Sequence, residues 1–123
     1  MRTLLIVTAL LEAVVGFVLA AAPSVLVSIL FGTPLETPSG SAVGRLAGIA
    51  LLTMGLFFWL TRNNRQSPAS AVPVVAMLFY NVAAATLFTY ARLRLGLSGI
   101  GLWPGVAGHA ALALWRIACL RTR

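Results

Sequence analysis

The chain is 123 residues long, which bounds it to one domain over residues 1–123. It is 60% hydrophobic and only 9% charged, where a soluble domain usually carries about 25% charged residues. Nine basic residues against two acidic ones give a net charge of +7, and the balance excludes a soluble enzyme in favour of an all-α, integral membrane four-helix bundle.

The first predicted span covers residues 4–22 and stops at Pro23. Arg2, an apolar run and Leu19-Ala20-Ala21-Ala22 imitate a cleaved secretory signal, but Glu12 sits mid-run, where a signal avoids charge. The segment is therefore read as a retained helix. Residues 24–31 are apolar but too short to cross. They form either a kinked continuation of the first span or, as preferred here, a segment lying in the interface. A turn-rich stretch over 33–41 ends in hydroxyl residues suited to cap the next helix.

The second span is predicted over 43–60, closed by Trp59 and Thr61-Arg62-Asn63-Asn64-Arg65. The third covers 71–90, with Pro73 tolerable in its first turn and Arg92 and Arg94 behind it. A Gly-rich stretch, Gly96 to Gly101, reads as a flexible loop before the fourth span at 102–120, which Arg121-Thr122-Arg123 closes. Each run is about 18–20 residues, long enough for a hydrocarbon core of about 30 Å.

All nine basic residues are arginines, set mostly at the ends of these runs. That is how a membrane protein fixes its orientation, and it argues against a nucleic-acid partner, which wants basic residues gathered on one face. Arg2, Arg62, Arg65, Arg116, Arg121 and Arg123 fall on one side, and Arg45, Arg92 and Arg94 on the other. Six against three puts both termini in the cytoplasm. Trp59 and Trp115 then mark one interface, and Tyr90 and Trp103 the other. Small residues (Gly44, Gly48 and Gly55; Gly101, Gly105 and Gly108; Ala83 to Ala85) suggest close helix contacts, either within the bundle or along a homo-oligomer seam.

Glu12 and His109 are the ionisable residues read as deep within spans, both near a span midpoint, with Tyr80 and Asn81 at the same depth. At 1.5 Å per residue the four share a slab about 3 Å thick. A carboxylate facing lipid at that level costs about 2.5–3.5 kcal/mol, so these groups are expected to satisfy one another inside the bundle. Each has a structural reading too: Glu12 and Asn81 as interhelical glue, His109 and Tyr80 as packing. As a set they form a candidate ligand-binding or proton-handling site, with Glu12 as acid, base or anchor, His109 sharing its proton, and Asn81 and Tyr80 orienting a ligand. Arg45 either approaches the mouth of that site or reaches to headgroups. With one cysteine, Cys119, one histidine and no metal-binding, P-loop, dinucleotide or nucleophile motif, no catalytic residue, metal ligand set or resident cofactor is assigned, and the reading leans away from an enzyme.

The layout resembles the DoxX-like group of small four-helix bacterial membrane proteins. Glu12, Leu30-Phe31-Gly32 with Pro34, Gly44-Arg45-Leu46-Ala47-Gly48, Tyr80-Asn81, Trp103-Pro104-Gly105, His109 and Trp115 carry the likeness. That group takes its name from a quinone-linked thiosulfate oxidation subunit. The resemblance implies residence in the bacterial inner membrane, an accessory place in a larger membrane complex, and a quinone, lipid or other amphiphile as ligand. A second resemblance is to small multidrug-resistance transporters, which also place a glutamate midway along the first helix; there Glu12 would exchange protons for a cationic drug in a homodimer. The predicted third span contains no Gly, where that family has small-residue hinges.

Overall fold

A computed structural model describes residues 2–63 and 71–121. Those residues form five helices: α1 (Arg2–Ala21), α2 (Pro23–Phe31), α3 (Pro38–Thr61), α4 (Val72–Arg94) and α5 (Leu102–Arg121). Asn64, Arg65, Thr122 and Arg123, which the sequence places at span ends, lie outside the described residues. Three helices, α1, α3 and α4, are long and apolar enough to cross a membrane. Their outer surfaces match: Val14, Phe17, Leu46, Leu60 and Phe79 are all exposed, an arrangement suited to lipid and costly in water.

Local signals set the boundaries. Thr37 caps α3 through its side chain, accepting from the Gly40 N–H at 3.0 Å, so the helix begins five residues before its apolar run. Pro73 occupies the first turn of α4, where a missing N–H leaves no gap. Residues 23–31 are a separate helix: the chain breaks at Ala22, Pro23 starts α2, and Gly32 ends it in the left-handed conformation at φ 79°. The Ser24 hydroxyl then accepts from the Leu35 N–H at 3.1 Å, folding the following loop back over α2.

The spans form two antiparallel pairs. α1 and α3 meet backbone to backbone: a Cβ on Gly16 would lie 2.7 Å from the Leu52 nitrogen, and one on Gly55 would lie 2.9 Å from the Ala9 carbonyl oxygen. Without hydrophobic expulsion in lipid, this approach is the main source of attraction. Gly48, against the Ala20 and Gly16 backbones, serves the same internal contact. α4 and α5 form the second pair. The pairs join near the N-terminal ends of α1 and α4 and the C-terminal ends of α3 and α5, where Leu4, Leu5, Phe58, Val74 and Met77 pack together with Cys119 and Leu120 against them.

At the other end α2 bridges the pairs. The Ser98 N–H donates to the Phe31 carbonyl at 3.2 Å, and the Gly101 N–H to the Ile29 carbonyl at 2.8 Å. The Gly96–Gly101 stretch, expected as a flexible loop, is thus a docked connector. Gly99 lies so close to the α2 backbone that no side chain fits.

Candidate functional site

The inward faces of the two pairs carry polar residues. From α1 come Thr8 and Glu12, four residues apart and therefore on one face. Asn81 comes from α4; His109 and Arg116, seven residues apart and again on one face, come from α5. Thr8, Glu12, Asn81 and Arg116 are all buried, Asn81 at 0% exposure and Arg116 at 1%.

Asn81 organises one end of this seam. Its Nδ2 donates to the Met77 carbonyl, one turn back, at 2.6 Å, which fixes the orientation of the amide. Its Oδ1 lies 2.8 Å from His109 Nδ1. An amide oxygen only accepts, so Nδ1 carries the proton, and Nε2 holds the lone pair when the ring is neutral. Two rings hold the imidazole edge to face: Tyr80 with centroids 5.7 Å apart and Phe88 at 5.5 Å. Phe88 in turn meets Phe31 of α2 at 5.7 Å, so an aromatic row runs from the bridging helix to the histidine.

Arg116 organises the other end. Its guanidinium donates to the Thr8 hydroxyl at 2.7 Å and to the Leu112 carbonyl at 3.1 Å, while its buried Nε has no partner. Glu12 lies within electrostatic range of both Arg116 and Tyr80. The seam therefore holds a carboxyl, a guanidinium, a phenol and an oriented imidazole between two helix pairs that share few other polar groups. It gathers hydrogen-bond donors and acceptors from α1, α4 and α5 into one buried column. Three or more His, Cys, Asp or Glu side chains do not gather anywhere among the described residues.

Four of the five candidate residues, Glu12, Tyr80, Asn81 and His109, thus come together. The fifth, Arg45, lies elsewhere: its Nη1 donates to the carbonyls of Ala20 at 2.7 Å and Ala21 at 3.1 Å, closing the C-terminal end of α1. Thr53, at similar depth on α3, faces outward and bonds the Ile49 carbonyl of its own helix at 2.9 Å. Arg116 is the residue that sequence reasoning placed at the interface, because it stands near the end of an apolar run. It belongs inside the seam. Its spacing of seven residues from His109 was the available signal, since both then lie on one face. With Arg116 included, the α5 contribution extends about 10 Å along the helix axis, so the polar groups form a column rather than a thin slab.

The grooves on the outer surface lie apart from this column, one along α4 at Ala85, Thr86 and Thr89, another between α1 and α3. No protein-family model matches this chain, and no curated protein or solved structure matches it either.

Proposed function

We propose that the chain is a four-span protein of the bacterial inner membrane, of the DoxX-like kind, with both termini in the cytoplasm. Its polar seam binds a small amphiphile through a headgroup bearing carbonyl oxygens, a quinone being the best-fitting class. The protein acts as a binding or accessory subunit of a membrane complex.

Support for the fourth span lies in which residues lower the hydropathy of α5. His109 and Arg116 both turn inward to Asn81 and Thr8. Its exposed positions from Trp103 to Ala118 are Trp, Pro, Gly, Ala and Leu. An outer face of that kind is compatible with lipid even where the average along the helix is not.

The observation that carries the ligand reading is the buried Arg116 Nε without a partner, in a seam that also holds an imidazole fixed in one tautomer. A buried unsatisfied donor costs about 1–3 kcal/mol, more when charged, and a ligand carbonyl relieves that cost. The same guanidinium weighs against the exporter reading. A cationic drug competing for Glu12 would meet a resident positive charge within electrostatic range.

The test is titration of a short-chain ubiquinone analogue into the full-length protein in lipid nanodiscs, alongside His109→Leu and Glu12→Gln. Saturable binding is expected for the analogue and for its reduced quinol, and His109→Leu weakens the quinol, whose hydroxyl donates to the Nε2 lone pair, about tenfold or more. Absence of saturable binding in the intact protein rejects the ligand class. Glu12-dependent uptake of a cationic dye driven by a proton gradient in proteoliposomes favours the exporter instead.

A further inference from the structure

The groove between α1 and α3 has a shape and a charge pattern that the polar seam does not explain. Its floor is made of small residues, Ala9 and Ala13 from α1 and Gly55 from α3, and its walls of Leu10 and Leu56, which are 55% and 57% exposed. The cleft measures about 380 Å³ and is almost wholly apolar. It exists because α1 and α3 approach too closely at Gly55 for any side chain to fill the floor.

Both helices continue the groove to the same basic end. On α3, Gly55, Trp59 and Arg62 fall at i, i+4 and i+7, one face of the helix. Trp59 lines the groove, and the Arg62 guanidinium stacks on its ring at 3.9 Å while donating to the Trp59 carbonyl. On α1, Arg2, Ala9 and Ala13 fall at i, i+7 and i+11, again one face. Because the helices are antiparallel, Arg2 and Arg62 stand at the same end, about 10 Å along the axis from the groove floor. An indole at the interface with cations beyond it is the arrangement that holds a headgroup while a chain lies below.

We propose that this groove is a binding site for an anionic phospholipid, one acyl chain lying over Ala9, Ala13 and Gly55 and the phosphate held by Arg62 and Arg2. Charge decides the occupant. A second copy of the chain, docked by the same face about a twofold axis along the membrane normal, would bring its own Arg2 and Arg62 against these two and be repelled, whereas an anionic headgroup is attracted. The site rests on α1 and α3 lying in the bilayer and is independent of what the polar seam binds.

The experiment uses the full chain with Trp103→Phe and Trp115→Phe, both at exposed positions, so that Trp59 is the sole indole. The protein is reconstituted in phosphatidylcholine vesicles containing a minor fraction of phosphatidylglycerol. Bromine is carried on the acyl chains of either the phosphatidylglycerol or an equal fraction of the phosphatidylcholine. A cation near the surface is worth about a fivefold preference for anionic lipid, so brominated phosphatidylglycerol quenches Trp59 well beyond brominated phosphatidylcholine. Arg62→Gln reduces that excess, Arg62→Lys retains most of it, and Arg2→Gln with Arg62→Gln abolishes it. Equal quenching by the two lipids overturns the proposal. So does disulfide dimerisation of Leu56→Cys in a Cys119→Ala background at low protein density in the same vesicles, which would assign the groove to a second copy.

Discussion

Arg116 is the most consequential side chain in the seam. A guanidinium removed from water is tolerated only where its donors and its charge are met. Thr8 and Leu112 meet two of the donors, and the Glu12 carboxyl lies within electrostatic range. Arg116→Met leaves the buried Thr8 hydroxyl and the Glu12 carboxyl without the guanidinium beside them and is expected to destabilise the protein by about 1–3 kcal/mol. Glu12→Gln combined with Arg116→Met removes both ionisable groups, and at least half of that loss is recovered. Denaturant unfolding in detergent micelles reads the cycle; a double variant whose loss equals the sum of the singles shows two independent residues. Of these contacts the sequence made the candidate set Glu12, Tyr80, Asn81 and His109 legible, because polar groups at matching depth on separate spans have few partners besides one another. Helix rotation is not encoded in spacing along a single span. The seam position of Arg116 and the separate end-capping role of Arg45 consequently came into view only with the fold.

At the scale of elements, small residues decide which helices pair. Gly16 and Gly55 bring the α1 and α3 backbones into contact, whereas a Cβ on Gly108 of α5 would meet nothing within 4 Å. Gly16→Ala is expected to cost about 1–3 kcal/mol through overpacking. Gly108→Ala is expected to be neutral or to stabilise by up to about 1 kcal/mol, because Ala is the better helix former. Thermal unfolding of the two variants in one detergent separates them, and equal destabilisation would contradict the observed pairing. The helices themselves were largely readable from apolar run length and capping residues, with the start of α3 moved outward by the Thr37 cap. The break at Ala22 followed from Pro23. The docking of residues 98–101 onto α2 had no such signal, since backbone hydrogen bonds between distant loops leave no trace in composition.

For the whole molecule, the fold is two helix pairs held apart by a polar column and linked at one end by α2. Counted along the sequence, taking Arg116 out of the interface leaves five arginines in the segments assigned to the terminus side against three in the others. The bias keeps its direction. In a Cys119→Ala background, a membrane-impermeant maleimide applied to intact bacterial spheroplasts is expected to label Glu36→Cys and to spare Asn63→Cys until the membrane is opened. Both positions are exposed, so the reverse pattern would mean the opposite topology, and labelling of both would mean a mixed one. Either orientation leaves the seam between the pairs unchanged.

The packing of α5 on α4 at the polar seam is tested most directly at the single histidine. In protein labelled with nitrogen-15 histidine and reconstituted in bilayers, solid-state NMR distinguishes the two neutral tautomers. An imidazole bonded to the Asn81 oxygen gives the Nδ1–H form, with Nε2 unprotonated, and Asn81→Leu releases that restriction. A spectrum dominated by the Nε2–H form, unchanged by Asn81→Leu, would show that His109 does not meet α4 and that this end of the polar seam is not assembled.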